Sequence, residues 1–312
     1  MANIDTPKTL QELSVEYAKK QPHQIDWLLE ETPVLAGIKF EQASHPLWNV
    51  AEVATEINGA GFVKMNSPLP KMSTSSKLQQ VDLAIMGGEI FVQQDKAMAY
   101  GGLTKYLAKR MPSFLAEAGV QTEKHIIYEN YRQYALDNGN AQTAGGSAAL
   151  SGDSGLYSIV IVRQVPGENC GLYSPEGFKQ GAMLDVQPLY NGALCQDANG
   201  VSGYKTQVKG YFGMQLMNPK TVSTIVNINS THLPSIAQID EALLQVRAKP
   251  GNTRMLMHPR VLNWLGEEYK KNMIRMTNGE QGLNFLIGSW NGIPMVSSYN
   301  FLEGTESAES LS

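Results

Sequence analysis

Histidines are the first residues to consider for catalysis, because imidazole takes up and releases protons near neutral pH. They are scattered along the chain: His23, His45, His125, His232 and His258. The last stands in MLMHPRVLNWLGEEYKK, residues 255–271, where an apolar run meets His-Pro and an amphipathic stretch follows. A catalytic histidine needs a nucleophile or carboxylate within reach, and no Gly-x-Ser-x-Gly motif is present. The pattern predicts a strand–helix junction with Pro259 in the first helical turn, and no chemistry at His258.

Three other patterns resemble ligand sites. The glycine-rich stretch 141–155 lacks the Gly-Lys-Ser/Thr ending of a phosphate loop and follows a helical pattern, which predicts a surface connector. Asp197-Ala-Asn-Gly200 begins like a calcium loop, but the downstream glutamate is missing, so a turn is predicted. Cys170 and Cys195 form no Cys-x-x-Cys pair and are expected to be small buried or half-buried residues. We therefore predict no catalytic residues, no cofactor and no metal.

The composition narrows the class of protein. The chain has 312 residues, a net charge of −4 and 17% charged residues, below the roughly 25% of an average soluble domain. The low proportion of charged residues favours a surface that makes contact with other protein molecules. Lysine and arginine occur only in short groups, so any contact with nucleic acid is expected to be loose and independent of sequence. No apolar run is long enough for a membrane helix, and the first residues do not resemble a secretory signal.

Residues 1–40 are predicted to form an arm. A helix starting at Thr6-Pro7 would carry an apolar stripe and stop at Pro22. These pieces make a poor core by themselves, so the stripe is expected to bury against something else. Its predicted contact residues are Leu10, Leu13, Tyr17 and Trp27.

Residues 41–80 are predicted to form a long protruding two-stranded loop. Extended patches at 47–53 and 61–65 flank Asn58-Gly59, a strong hairpin signal. A lone hairpin is only marginally stable in water, so it is expected to lie on a neighbouring molecule. Its predicted contact residues are Trp48, Phe62 and Met65.

A long helix is predicted after two short strands. Residues 78–92 suggest strands broken at Gly87-Gly88. A helical region follows Gly102 and is expected to restart at Pro112. The apolar pattern from about 113 to 138 predicts one helix roughly 40 Å long. Pro112 and Gly119 are its expected bending points.

The remaining sequence alternates strands and helices, which favours a compact α/β layer. Buried-strand runs occur at 156–162 and 221–228, around a strand-rich stretch at 163–213. A helix is predicted from about 235 to 247, and Asn291-Gly292 predicts a turn between two short strands.

This order of segments resembles the major capsid proteins of tailed bacteriophages, the Hong Kong 97-type fold. NPKTVSTIVNIN (218–229) resembles the entry to that family's axial domain, and TRMLMHPRVLNWLGEEYKKN (253–272) its recurrent strand–helix. LIGSWNGIPMVSS (286–298) resembles its usual ending, and 158–183 is similar to an insertion in one capsid subgroup.

The resemblance implies an α+β fold with five parts. They are an N-terminal arm (1–40), an extended loop (41–80), a peripheral domain (81–155) with a spine helix at about 113–138, an axial domain (156–300) with a β-rich insertion at about 163–213, and a C-terminal tail (301–312). The implied role is structural and not enzymatic: a virion protein, assembled in the host cytoplasm into an icosahedral shell around double-stranded DNA.

The implied partners are copies of the chain, in hexamers and pentamers, with a separate scaffolding protein, a portal and possible decoration proteins. Contact with packaged DNA would be loose, and no membrane is involved. Two alternatives stay open: an encapsulin-like protein compartment, and an α/β hydrolase or transferase built on the C-terminal half.

Overall fold

The computed structural model describes residues 32–144, 155–175, 184–269, 273–276 and 287–311. Six helical segments lie in these ranges: α1 (Pro33–Gly37), α2 (Gln94–Ala99), α3 (Leu103–His125), α4 (Gln133–Asp137), α5 (Ile236–Gln245) and α6 (Pro259–Glu268). A π-helical segment, Ile126–Arg132, joins α3 to α4, and 3₁₀ turns occur at Leu189–Gly192 and Pro219–Thr221.

Fifteen strands are described. The first nine are β1 (Phe40–Gln42), β2 (Trp48–Asn58), β3 (Ser73–Asp82), β4 (Ala84–Gln93), β5 (Ala141–Thr143), β6 (Tyr157–Arg163), β7 (Asn169–Tyr173), β8 (Leu184–Pro188) and β9 (Cys195–Gln196). The others are β10 (Ser202–Leu216), β11 (Val222–Ile228), β12 (Thr253–Met257), β13 (Met273–Met276), β14 (Ile287–Trp290) and β15 (Ile293–Ser297).

A seven-stranded sheet holds the main core, in the order β13-β14-β15-β12-β6-β11-β5. Strand β6 has apolar side chains on both faces because both faces are covered. Ile159 and Ile161 pack towards α5 and α6, whereas Val160 and Val162 pack towards the π segment. The continuous apolar run that predicted a buried strand thus reflects a sheet between two helical layers.

A six-stranded sheet is built around the long strand β10. Its order is β1-β7-β10-β4, and β8 and β9 also pair with β10. Strand β4 pairs antiparallel with β10 from Gly203↔Gln93 to Phe212↔Ala84. Both sheets take strands from either side of residue 156, so pairing crosses the predicted boundary between the two domains.

The long helix differs from its prediction in where it begins. The helical path is continuous from Leu103 through the π segment to Asp137, so it starts ten residues earlier than residue 113 and has no restart at Pro112. At 1.5 Å per residue it spans about 50 Å. Leu107 and Met111 bury against the six-stranded sheet, and this packing outweighs the local tendency of proline to end a helix.

The predicted strand break at Gly87-Gly88 is also wrong, since both glycines lie inside β4. Gly87 is required by a close approach: a Cβ there would lie 2.1 Å from the carbonyl oxygen of Val208 on β10. A Cβ on Gly88 would meet nothing within 4 Å.

These two glycines give a matched pair of variants. Gly87→Ala should destabilise the protein by about 1–3 kcal/mol, because β4 and β10 must separate to admit the methyl group. Gly88→Ala should be neutral or stabilise by up to about 1 kcal/mol, because alanine restricts the unfolded chain. Thermal melts of both variants check this, and equal losses would contradict the account.

Candidate assembly surface

The most exposed element of the described chain is the hairpin formed by β2 and β3. The two strands pair antiparallel from Trp48↔Asp82 to Asn58↔Ser73, with a register shift between Ala54 and Glu56. Most of their side chains are exposed on both faces. At about 3.3 Å per residue the paired strands extend roughly 35 Å. The protruding two-stranded loop predicted from the sequence is therefore present.

The loop at its end is longer than the Asn-Gly signal suggests. Residues 59–72, the tip loop, separate the strands, and the predicted extended patch at 61–65 forms no strand. Its large apolar side chains are mostly exposed to solvent, and the exposed fractions of Phe62 and Met65 are 110% and 94%. The others are Val63, Leu69 and Met72. The only charged residues of the tip loop are Lys64 and Lys71, so it is an apolar and cationic surface.

The root of the hairpin is fixed to the body. Trp48, predicted as an assembly contact, is half-buried at this root, and its ring stacks on His45 with centroids 3.5 Å apart. The Asn49 amide donates to Gln215 of β10, and the Leu83 N–H donates to the Leu47 carbonyl at 2.8 Å. The hairpin thus has an anchored base and an uncovered end.

A buried carboxylate holds the chain where the described residues begin. Glu123 of α3 is fully buried, and its Oε2 accepts the N–H groups of Val34 and Leu35, each at 3.0 Å. Its Oε1 accepts from Ser298 and from the Asn300 amide. Burial raises the pKa of Glu123 above its usual value, although the four hydrogen bonds act in the opposite direction. We call these five residues the Glu123 cluster.

The C-terminal segment is tied to the same helix. Glu306 is buried and accepts from the Tyr128 hydroxyl at 2.7 Å and from Ser158 at 3.0 Å. Arg132 lies 3.7 Å from Glu306 and 3.0 Å from Glu309. Burial raises the pKa of Glu306, with Arg132 partly opposing that rise. The π segment, which carries Tyr128 and Arg132, therefore fixes the end of the described chain.

His258 is part of the scaffold, as the sequence predicted. It precedes α6, and its Nδ1 accepts the Arg260 N–H at 3.1 Å, so the imidazole caps the helix. The residue is buried beside Tyr157 and Tyr299. Burial lowers the pKa of His258; nearby Arg260 adds to this and Glu303 opposes it.

A pH experiment tests the cap. Because the folded pKa of His258 lies below 6.5, the unfolded chain binds the proton first, and the protein should lose up to about 1 kcal/mol as the pH falls below that value. His258→Asn keeps a capping oxygen and should remove this part of the pH dependence. Chemical unfolding of the wild type and of this variant at several pH values measures it, and identical profiles would contradict the account.

The other sequence predictions fall into three groups. Asp197 closes a turn, since its Oδ1 accepts the N–H groups of Asn199 and Val201, each at 2.8 Å. Cys170 is buried and Cys195 half-buried, as expected; burial raises the pKa of the Cys170 thiol to about 12. Four predicted contact residues lie outside the described residues: Leu10, Leu13, Tyr17 and Trp27.

The two predicted bending points lie within α3, where Gly119 is buried and the backbone stays helical through Pro112. The helix departs from α geometry further along, at the π segment, which the sequence analysis did not identify. The Glu123 cluster was missed as well. Nothing in the sequence links an acidic residue to backbone N–H groups nearly ninety positions away.

Within the described ranges, no group of three or more His, Cys, Asp or Glu side chains is arranged to hold a metal ion. Among the helices that the structure describes, none combines the length and apolar character needed to cross a membrane.

Comparison with solved structures identifies the fold. The bacteriophage JBD30 capsid aligns with a TM-score of 0.55 over 90% of this chain and 94% of its own, at 9% identity. A chain of bacteriophage Epsilon15 aligns with a TM-score of 0.54 over 87% of this chain and 88% of its own, at 16% identity. An encapsulin from Synechococcus elongatus aligns with a TM-score of 0.45 over 64% of this chain and 88% of its own, at 11% identity. No protein-family model and no curated protein matches the sequence. The chain has the α+β fold of phage capsid proteins.

Proposed function

We propose that this chain is a major capsid protein, whose copies assemble into the icosahedral head shell of a tailed bacteriophage around double-stranded DNA. The observation that carries the proposal is the exposed apolar tip loop, on a body with the fold of a phage capsid. An anchored hairpin whose end is uncovered in the single chain needs other protein to cover it.

The parts of the chain then take the roles that the resemblance implies. Residues 1–40 are the arm, residues 41–80 the extended loop, and the long helix is the spine of the peripheral domain. Residues 156–300 supply the axial domain with its insertion at 163–213, and residues 301–312 are the tail. The chain is a virion component with no catalytic step, and Pro112 and Gly119 stay proposed hinge points for shell expansion.

Assembly of this kind needs only weak individual contacts. Each copy meets several neighbours, and every contact after the first is made at a high effective concentration. Closed symmetry limits growth. The proposed partners are further copies in hexamers and pentamers, a separate scaffolding protein, a portal and decoration proteins, with loose contact to DNA.

The direct test is the size of the purified protein. Sedimentation velocity and negative-stain microscopy should find pentamers, hexamers or closed shells, alone or after coexpression with the neighbouring genes of the phage. A monomer or dimer under all these conditions would overturn the proposal. Shells recovered from infected cells separate the phage head from the encapsulin-like compartment, because a phage head carries nucleic acid and an encapsulin-like shell carries protein.

A further inference from the structure

Positive charge is concentrated on α2 and at the start of the long helix. Residues 94–110 contain four cations and one carboxylate, Asp95, in a chain whose net charge is −4. No further carboxylate follows along the chain until Glu117. All four cations are exposed, and we call them the α2–α3 patch: Lys96, Lys105, Lys109 and Arg110.

The turn between the two helices brings three of these cations together. The Lys109 Nζ lies 5.3 Å from the centre of the Tyr100 ring, within the range of a cation–π contact. The end of the Lys105 side chain lies beside Gly101, because a Cβ there would be 3.4 Å from the Lys105 Nζ. The Tyr100 N–H donates to the Lys96 carbonyl at 3.2 Å, so Lys96 lies one helical turn before the ring.

Arg110 borders the same surface. Tyr106 precedes it by four residues on α3, and residues four apart lie on the same side of a helix. The Tyr106 ring meets the Tyr100 ring edge-on, with centroids 5.2 Å apart. Tyr100 is itself exposed. The α2–α3 patch therefore surrounds an accessible aromatic ring with cations.

The charge of the α2–α3 patch is not neutralised by the part of the chain that the structure describes. None of its four members forms an ion pair with a described carboxylate, whereas Arg132, Lys205 and Arg260 do. Lys105 and Lys109 are four residues apart on α3, and like charges at this spacing destabilise a helix. A partner with several negative charges would relieve this repulsion.

The spacing of the cations suits a phosphate backbone. Lys105 and Arg110 are separated by about 8 Å along the helix axis, at 1.5 Å per residue. Duplex DNA carries about five phosphate charges over that length, since one occurs every ~1.7 Å of its axis. Contacts to phosphate carry no direct sequence information. The patch is thus suited to binding DNA without reading its bases.

We infer that the α2–α3 patch is the surface through which each copy of the chain contacts the phosphate backbone of the enclosed duplex DNA, so that α2 and the start of α3 face the interior of the shell. This inference rests on the proposed function and names the surface behind the loose contact with DNA. One patch binds weakly, but a shell presents many patches to one continuous duplex, and these contacts act together.

The opposite face of the six-stranded sheet supplies a matched control. Helix α3 packs on the face of β10 that carries Val208. Side chains alternate along a strand, so Lys205 and Lys209 lie on the other face, where both are half-buried. A double substitution of these two lysines by glutamine changes the net charge as much as Lys105→Gln with Lys109→Gln, and glutamine keeps a long polar side chain in each case.

A salt titration measures the contact in solution. Fluorescence anisotropy follows the binding of purified capsomers to a labelled duplex of about 30 base pairs, at about 50 to 200 mM salt. The logarithm of the wild-type affinity should fall by about 3–4 per tenfold rise in salt, as expected for about four phosphate contacts. Lys105→Gln with Lys109→Gln should weaken binding roughly tenfold at the lowest salt and reduce this slope by about 2. The Lys205 and Lys209 control should keep the wild-type slope.

Lysine reactivity tests the orientation of the patch in the shell. An amine-reactive reagent is applied to DNA-filled shells recovered from infected cells and to the same shells emptied of DNA, and mass spectrometry measures the labelling of each lysine. Lys96, Lys105 and Lys109 should react several-fold less in the filled shells. Lys205 and Lys209 should react equally in both.

The outcomes separate this inference from the proposed function. Shells whose patch lysines react equally when filled and emptied would overturn the inference and leave the capsid role intact. An unchanged salt slope in the patch variant, or an equal loss in the control variant, would overturn it as well. So would a patch variant that binds the duplex normally but no longer binds an acidic scaffolding protein. Protein that never associates beyond a dimer would overturn both the inference and the proposed function.

Discussion

Replacing Phe62, Met65 and Leu69 by serine should abolish shell assembly while leaving the subunit folded. All three side chains are largely exposed in the single chain, so their loss removes no internal packing. In the assembled shell each would be buried, at about 1.5–3 kcal/mol per side chain. Since about 1.4 kcal/mol changes an association constant tenfold, each substitution should raise the concentration needed for assembly at least tenfold. Sedimentation velocity and electron microscopy measure the loss.

Two controls make this result specific. The melting temperature of the triple variant should stay within a degree or two of the wild type, because the tip loop contributes nothing to either sheet. Leu244→Ser and Tyr299→Ser change apolar residues that are similarly exposed on the body, 75% and 78%, and should assemble normally. If the tip variant formed shells at the wild-type concentration, the hairpin would have no part in assembly.

Replacing Glu123 by alanine should cause the largest loss of stability of any single substitution considered. It leaves the N–H groups of Val34 and Leu35 and the side chains of Ser298 and Asn300 without their acceptor. Buried donors without partners cost about 1–3 kcal/mol each, so we expect a total loss of about 3–5 kcal/mol. At about 2–4 °C per kcal/mol this lowers the melting temperature by roughly 10 °C.

Glutamine at position 123 is the matched control. It keeps one oxygen to accept the two backbone N–H groups and should lose far less stability than alanine. Hydrogen exchange at Val34 and Leu35 should accelerate in the alanine variant and stay slow in the glutamine variant. Equal stability of the alanine variant and the wild type would show that the Glu123 cluster does not hold the segment.

The raised pKa of Glu123 sets the sign with which the stability of the protein depends on pH. The folded state binds the proton more tightly than the unfolded chain, so this carboxyl stabilises the protein below its ordinary pKa of 4.5, and that contribution is lost as the pH rises through the folded pKa. Glu306 shifts in the same direction. Only the difference between wild type and Glu123→Gln therefore isolates Glu123, and the variant should show the flatter profile.

The sequence by itself determined the helix starts and turns, which depend on a few adjacent residues. Ser235 caps α5 with its side chain accepting from the Gln238 N–H, at the place where the apolar period predicted a helix. His258-Pro259 starts α6, and Asn291-Gly292 turns between β14 and β15 with positive φ at both residues. Caps and turns depend on a few adjacent residues, so their chemistry is readable without the fold. The uncovered hairpin was predictable for a related reason: it lacks enough apolar pairing to support itself.

Only the tertiary structure decided the features that depend on contacts between residues far apart in the sequence. Helix α3 continues through Pro112 because its neighbours Leu107 and Met111 pack on the sheet, and Gly87 sits inside β4 because the Val208 carbonyl comes too close for a side chain. Glu123 became the acceptor for residues on two remote segments. Each of these follows from which segments are brought together in space, and a one-dimensional pattern records only the chemistry of neighbours along the chain.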